Sequence, residues 1–285
     1  MGKNGEVIMQ QKEGNFKGTG NFNLYWKCWL PDGQVKAVIL VAHGLGEHIC
    51  RYNNLVDSVV PLGYAVYGLD HQGHGKSEGT RIFVDRFQTY LDDLKTFYDM
   101  VRKDNPGKKV ILYGHSMGGL IAAAYALQHQ PELDGLVVSA PALKAGDDIT
   151  PATITLARIL SVVAPKLGVQ ALDSNFLSHD KAVVEAYDND PLVYRGKIRA
   201  RLGSETLSTM SRVEAQFPSI TLPLLILQGS EDKIVNEAGA RLLYEKAGSK
   251  DKTLKIYEGF YHEVHNEPGN ARVFADIEDW LGKHT

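Results

Sequence analysis

One stretch, residues 110–125, constrains the fold of this chain more than any other. An apolar run (110–113) leads into the letters GHSMG (114–118) and then into an alanine-rich run. This G-x-S-x-G pattern is typical of a sharp turn between a strand and a helix, which exposes a serine hydroxyl at the carboxyl end of the strand. Glycines on both sides of the serine remove Cβ atoms that would crowd the turn. We therefore predict a strand, a turn and a helix here, with Ser116 as a candidate nucleophile.

The composition is that of an ordinary globular protein. The chain has 285 residues, of which 44% are hydrophobic, enough for one large α/β domain or two small ones. Its 31 basic and 34 acidic residues give a net charge of −3, which provides no polybasic surface for nucleic acid. The partner is therefore expected to be a small molecule rather than a nucleic acid.

Cysteine content and the chain's amino terminus bear on location. Cys28 and Cys50 are too few for a disulfide framework, and no Asn-x-Ser/Thr acceptor occurs. The first residues lack the apolar stretch of a signal peptide, and no apolar run is long enough to span a membrane. We expect a cytoplasmic protein, either soluble or peripheral to a membrane.

Apolar, strand-like runs alternate with helical patterns along most of the chain. This alternation is typical of right-handed βαβ units around a parallel sheet. An apolar run at residues 6–10 and an aromatic-rich segment at 22–30, separated by glycines, predict an antiparallel opening. The other predicted strands are 37–42, 64–70, 110–113, 135–140, 223–229 and 253–259, and the predicted helices are 53–60, 87–103, 117–128, 238–247 and 271–281.

The alternation stops between residues 143 and 217, where helical patterns occur without a convincing strand. We therefore predict a single domain over residues 1–285, with 143–217 inserted as a helical cap. Within it, residues 154–164 are strongly apolar, but Arg158 and Pro165 exclude a membrane span. A helix that packs on the body and one that rests on lipid share this pattern, so both interpretations stay open.

Three short patterns imitate other kinds of site. Residues 44–49 begin like a dinucleotide fingerprint, but Ile49 stands where the third glycine is needed. Residues 75–77 (GKS) imitate the end of a phosphate loop, but the glycine required upstream is Asp70. His71 and His74 lie beside Asp70 without a convincing further set of metal ligands. We therefore expect no metal and no cofactor.

A serine hydroxyl needs a base and a carboxylate that orients the base. Asp232 follows the strand predicted at 223–229, and His262 follows the strand predicted at 253–259. The order Ser, Asp, His is that of α/β-hydrolases. Glu231 remains a rival for the acid, and His265 for the base.

Ester chemistry also needs N–H donors for the negative charge that develops on the carbonyl oxygen. The residue after the nucleophile, Met117, offers one backbone N–H. The loop after the strand at 37–42 offers a second through Leu45. We therefore predict an oxyanion hole made of these two groups.

Five motifs together carry a family resemblance: HGLGEH (43–48), GLDHQGHGKSEG (68–79), GHSMGG (114–119), LQGSED (227–232) and YHEVH (261–265). The set resembles the monoacylglycerol lipases, in the monoglyceride lipase and lysophospholipase-like branch of the α/β-hydrolases, over nearly the whole chain. The resemblance implies a mostly parallel eight-stranded sheet with helices on both faces and a helical cap. It also implies a serine hydrolase that cleaves monoacylglycerols to fatty acid and glycerol without a cofactor.

The same resemblance implies residues for the glycerol end of the substrate. Carried over by motif, these are Glu47, Arg51 and His265, with Tyr187 as a looser match in the cap. The cap matches least well, so the preferred acyl chain is not fixed by sequence. A possible membrane contact through the cap belongs to the same open question.

Other functions stay open at this point. A broader carboxylesterase or lysophospholipase would share every catalytic residue, and a transferase is a remoter variant. A ligand-binding protein with an idle triad is the alternative from outside enzymes. A substrate panel separates the first of these from a monoacylglycerol lipase, and labelling by a fluorophosphonate tests the last.

Overall fold

The computed structural model describes residues 9–146 and 149–285. In this part of the chain there are ten strands: β1 (Gln10–Lys17), β2 (Asn23–Leu30), β3 (Ala37–Ala42), β4 (Ala65–Leu69), β5 (Lys109–His115), β6 (Gly135–Ser139), β7 (Gly168–Gln170), β8 (Ile198–Arg199), β9 (Leu224–Gly229) and β10 (Lys252–Tyr257). The same residues form eight α-helices: α1 (Asn53–Val59), α2 (Gln88–Asp104), α3 (Met117–His129), α4 (Pro151–Val163), α5 (Lys181–Asn189), α6 (Ala200–Glu214), α7 (Ala238–Lys246) and α8 (Ala271–His284).

Eight of the strands build one sheet in the order β1-β2-β4-β3-β5-β6-β9-β10. All neighbouring pairs from β4 to β10 are parallel, and only β2 runs against its neighbours β1 and β4. This confirms the mostly parallel eight-stranded sheet expected from the sequence. Because the parallel strands end at one edge, the loops that follow β3, β5, β9 and β10 are brought together there.

Helices cover both faces of the sheet, which explains why β3 is apolar at every position. Val38 and Leu40 join one buried cluster with α2 and α3, while Ile39 and Val41 join a second cluster with α1 and α8. A strand buried on both faces has no polar side to present. The unbroken apolar run in the sequence is the consequence.

The opening of the chain differs from the prediction. The first strand runs from Gln10 to Lys17 and pairs antiparallel with β2, whereas the sequence suggested 6–10, of which residues 6–8 lie outside the described residues. Gly14 lies inside this strand and not between two strands. A Cβ at this position would come within 3.1 Å of the Trp26 indole nitrogen, so the glycine gives the ring its space.

Between β6 and β9 the chain forms α4, β7, α5, β8 and α6; we call residues 143–217 the insert. Leu202 and Val213 of α6 are buried in the same cluster as α3, so α6 joins the insert to the body. The two short strands pair with each other. They were not predicted, because three and two residues show no period. No helix in the described ranges is long and apolar enough to cross a membrane.

Candidate active site

Ser116 occupies the turn between β5 and α3 in a strained conformation, with φ 55° and ψ −120°. Such a backbone persists only where its surroundings enforce it. Here the Ser116 N–H donates to the Ser139 carbonyl at 3.0 Å. Helix α3 also packs so tightly under the turn that a Cβ on Gly118 would lie 2.0 Å from the Ala42 carbonyl oxygen. The turn predicted from the GHSMG letters is therefore present.

His262 and Asp232 form a buried pair at the same edge of the sheet. His262 Nδ1 lies 2.8 Å from Asp232 Oδ2, and the two side chains are 3% and 0% exposed. The other carboxylate oxygen of Asp232 accepts from the N–H groups of Ile234 and Val235, at 2.8 and 3.0 Å. These bonds fix the carboxylate, which in turn fixes the imidazole.

The charges of this pair follow from its contacts. Burial alone would raise the pKa of Asp232, but the His262 ring and the two backbone N–H donors outweigh it and lower this pKa. Burial alone would lower the pKa of His262, but the Asp232 carboxylate outweighs it and raises this pKa. Since the carboxylate receives the Nδ1 hydrogen, Nε2 is the ring nitrogen left to take a proton.

The structure distinguishes Asp232 and His262 from the two alternative candidates for acid and base. Glu231, next to Asp232 in the chain, is exposed. His265 is buried and stacks on the Tyr52 ring, with centroids 5.3 Å apart. The residue on the Asp232 carboxylate is His262.

The serine turn and the His262 loop lie side by side. The ring of His115, which precedes Ser116, packs on the His262 ring with centroids 4.7 Å apart. His115 also contacts the Ser139 carbonyl through Nδ1 at 3.1 Å, so its position is fixed from β6. The three predicted triad residues thus come from neighbouring loops at the carboxyl ends of β5, β9 and β10.

The loop after β3 reaches this edge from the other side. A Cβ on Gly44 would lie 3.3 Å from Ser116 Cβ, so this glycine borders the nucleophile. The Gly44 N–H donates to Glu47 Oε1 at 2.6 Å. Its neighbour Leu45, predicted as an oxyanion donor, therefore lies beside the serine turn.

The residues expected at the glycerol end form one buried network. Arg51 makes a bidentate pair with Glu263, at 2.6 and 2.8 Å, and contacts Glu47 at 2.8 Å. Its guanidinium lies over the Tyr187 ring, 4.7 Å from the centroid, so it also reaches the insert. His265 joins through its stacking on Tyr52, whose hydroxyl donates to Glu47 at 2.8 Å.

Two carboxylates of this network respond differently to their surroundings. Burial raises the pKa of Glu47 despite the Arg51 guanidinium. For Glu263 burial acts in the same direction, but the bidentate Arg51 outweighs it and lowers the pKa to about 2. Sequence reasoning missed Glu263, although a charged residue directly after the candidate base was a signal that could have found it.

The insert is bonded to the same loops. Asp190 accepts from the His48 ring at 2.8 Å, and the Tyr194 N–H donates to the Gly46 carbonyl at 2.8 Å. On the other side, the Glu263 N–H donates to the Leu177 carbonyl at 2.8 Å. The insert therefore contacts both the loop that carries Leu45 and the loop that carries His262.

His71 and His74 lie in the core and pack around His43, with ring centroids 4.2 and 5.3 Å from it. Burial lowers the pKa of His71 to about 3 and that of His74 to about 4, so both rings are neutral at physiological pH. Across the described part of the chain, no three His, Cys, Asp or Glu side chains are grouped as metal ligands would be.

A parallel sheet with helices on both faces, a strained serine at a strand-to-helix turn and a buried Asp–His pair beside it define a serine hydrolase with the α/β-hydrolase fold.

Comparisons with known proteins narrow this class. Residues 33–269 match the family described as "Serine aminopeptidase, S33". The chain is 35% identical over 278 residues to monoacylglycerol lipase of Mycolicibacterium smegmatis, covering 98% of this chain and 99% of the relative. It is 40% identical over 265 residues to human monoglyceride lipase, covering 92% of this chain and 88% of the relative.

A solved structure agrees with these relatives. The crystal structure of Paleococcus ferrophilus monoacylglycerol lipase matches with a TM-score of 0.80 at 29% identity, covering 98% of this chain and 100% of that one. The chain therefore belongs to this hydrolase family, among the monoacylglycerol lipases, and it is a carboxylic ester hydrolase. The family resemblance seen in the five motifs is confirmed.

Proposed function

We propose that this protein cleaves monoacylglycerols to free fatty acid and glycerol, with Ser116 as nucleophile, His262 as base and Asp232 as the orienting carboxylate. The observation that carries the proposal is the 2.8 Å bond between His262 Nδ1 and Asp232, beside the strained turn of Ser116. The similarity to monoacylglycerol and monoglyceride lipases supports the substrate.

The reaction follows from the protonation states of these groups. His262 Nε2 takes the Ser116 hydroxyl proton as the oxygen attacks the ester carbonyl carbon, and Asp232 stabilises the imidazolium. The imidazolium then gives its proton to the leaving glycerol oxygen as the ester bond breaks. Water, activated by the same ring, hydrolyses the acyl-enzyme and releases the fatty acid.

The oxyanion that forms in each step is assigned to the N–H groups of Leu45 and Met117. Neither N–H has a hydrogen-bond partner among residues 9–146 and 149–285. Met117 is also the first residue of α3, where the helix dipole favours negative charge. Each donor contributes about 3 kcal/mol to lowering the barrier.

The network around Arg51 is assigned to the glycerol end. His265 Nδ1 is buried and has no hydrogen-bond partner in the described ranges, so it is available to a glycerol hydroxyl. The ring of Tyr187 lies over Arg51 and brings the insert to the same place. Glu47 is already bonded to Gly44, Arg51 and Tyr52, so it acts by holding Arg51 and the loop.

A cavity of about 380 Å³ lies between the loop of Leu45 and the insert. Ile82, Leu172 and Ile198 form apolar parts of its wall. Its volume is within the usual range for small-molecule sites. Leu45 lines this cavity, but Ser116 and His262 do not. We therefore assign it to the part of the substrate away from the reacting ester, with the insert acting as the cap that selects the acyl chain.

We assign the outer surface of α4 to contact with lipid. Four large apolar side chains are exposed there: Leu156 (54%), Ile159 (53%), Val162 (74%) and Val163 (71%). Their spacing places them on one side of the helix, which we call the α4 face. Sedimentation with lipid vesicles tests this, because replacing Val162 and Ile159 by serine should weaken vesicle binding about tenfold if these side chains enter the lipid.

The substrate assignment is tested with a panel. Monooleoylglycerol, a lysophosphatidylcholine with the same acyl chain and a short p-nitrophenyl ester are compared in kcat/KM. We expect the monoglyceride to be cleaved at least tenfold more efficiently than the lysophospholipid. The reverse order would contradict the proposed substrate and leave a lysophospholipase instead.

A further inference from the structure

His43 bridges the two loops that follow β3 and β4. Its Nδ1 lies 2.8 Å from the carbonyl oxygen of the next residue, Gly44. Its Nε2 lies 3.0 Å from the backbone nitrogen of His71. The ring is fully buried, so both contacts are shielded from water.

These two partners determine which nitrogen carries the hydrogen. A backbone N–H can only donate and a carbonyl oxygen can only accept, so Nε2 is the acceptor and Nδ1 the donor. Burial lowers the pKa of His43 well below its ordinary value, and the nearby His71 and His74 rings act in the same direction. The imidazole is therefore neutral, with its hydrogen on Nδ1.

The Nδ1 contact fixes a peptide plane. The Gly44 carbonyl and the Leu45 N–H belong to one trans peptide unit, in which they point in opposite directions. Anchoring the oxygen on His43 therefore aims the N–H to the opposite side. The Gly44 N–H belongs to the preceding peptide unit and is held separately by Glu47, so two successive peptide units of this loop are anchored.

We propose that His43 is a positioning residue for the oxyanion hole: by holding the Gly44 carbonyl, it directs the Leu45 N–H toward the substrate carbonyl oxygen, which becomes the oxyanion when Ser116 attacks. This inference rests on the proposed function, which assigns that N–H to the oxyanion. Gly44 borders Ser116, so the anchored peptide unit lies where the charge develops. His43 itself does not contact the substrate.

Two amide substitutions separate the two ring contacts. In His43→Asn the side-chain amide nitrogen takes the place of Nδ1 and can donate to the Gly44 carbonyl. In His43→Gln the amide reaches the place of Nε2 and can accept from the His71 N–H, but it leaves the Gly44 carbonyl without its donor. Both replace an imidazole by a neutral amide, so each serves as the control for the other.

The measurement is the hydrolysis of a soluble p-nitrophenyl ester, with melting temperatures recorded for every variant. For His43→Gln we expect kcat to fall about 30-fold with KM within about twofold, since an oxyanion donor acts only in the transition state. For His43→Asn we expect kcat within about fivefold of wild type, because the anchor is kept. A trifluoromethyl ketone, which forms an oxyanion on the serine, should lose affinity for His43→Gln in proportion to kcat/KM.

Two results would overturn the inference. One is a wild-type kcat for His43→Gln. The other is an equal loss in both variants that follows their melting temperatures, which would reduce His43 to a packing residue. A Ser116→Ala variant in the same assay tests the proposed function separately. If this variant hydrolysed the ester at the wild-type rate, Ser116 would not be the nucleophile, whatever the effect of the His43 substitutions.

Discussion

The catalytic edge of the sheet and the α4 face are opposites in physical character. At the edge, polar groups such as His262 and Glu263 are buried, and each is held by bonds from neighbouring loops. On the α4 face, apolar side chains such as Val162 are exposed. The difference shows that this chain buries the polar groups of its active site and leaves an apolar patch exposed on α4, and the proposed lipid contact rests on that patch.

The largest effect is expected at the centre of the catalytic edge. Ser116→Ala should lower kcat by about 10⁵-fold or more, because the acyl-enzyme can no longer form. Ser211→Ala on α6 is the matched control, since this serine is exposed and its hydroxyl donates to the Leu207 carbonyl of its own helix. Steady-state hydrolysis of a monoglyceride checks both variants. An active Ser116→Ala would show that this edge is a buried polar cluster without a catalytic nucleophile.

Removing the orienting carboxylate should have the next largest effect. Asp232→Asn should lower kcat by about 10⁴-fold, because the amide no longer holds the base in the tautomer that leaves Nε2 free. Glu231→Gln, the exposed neighbour, should leave kcat unchanged. If Glu231→Gln were the damaging change, the acid would be misassigned.

The same pair predicts a pH dependence with a definite sign. The base works only when unprotonated, so kcat/KM of the wild type should fall with decreasing pH through a midpoint above the ordinary histidine pKa, since Asp232 raises the pKa of His262. In Asp232→Asn the midpoint should move to lower pH, because the charge that raised it is gone. A midpoint that stayed in place would contradict the charge interaction.

Stability should also depend more on the buried ion pair of the catalytic edge than on an exposed ion pair elsewhere on the surface. Glu263→Gln leaves the buried Arg51 with a weaker partner and should reduce the free energy of unfolding by about 3 kcal/mol. Asp279→Asn, at an exposed pair with Lys283, should change it by less than about 1 kcal/mol. Denaturant unfolding measures both, and equal changes would mean that the buried pair is not needed to hold the edge together.

The smallest effect is expected on the α4 face. Val162→Ser should change the free energy of unfolding by less than about 0.5 kcal/mol and leave the hydrolysis of a soluble ester unchanged, because this side chain makes little packing contact. The same variant assayed on vesicles carrying monoglyceride should be slower than wild type. A large loss of stability would show that α4 packs against the body through this face.

The position of the three proposed triad residues at one edge could be predicted because each lies in a loop directly after a strand. Ser116, Asp232 and His262 follow β5, β9 and β10, and parallel strands end at one edge. The parallel sheet could also be predicted, since β3 is apolar at every position, as a strand buried on both faces must be. The first strand was misplaced because Gly14 was interpreted as a turn residue. In the structure it lies inside the strand and makes room for Trp26, and sequence alone does not distinguish these two uses of glycine.

Contacts between distant parts of the chain could not be predicted. Arg51 and Glu263 are separated by 212 residues, and the sequence around either residue does not indicate that the other is its partner. The contact between His43 and His71 could not be predicted for the same reason, because His71 belongs to the loop after another strand. The insert was predicted as helical, but the exposure of the α4 face depends on which side α6 covers.

The most direct test of the account is covalent labelling by a fluorophosphonate followed by peptide mass spectrometry. We expect one modified residue, Ser116, with no labelling in Ser116→Ala and slower labelling in Asp232→Asn. A folded wild-type protein that is not labelled, or one labelled at a different serine, would contradict it.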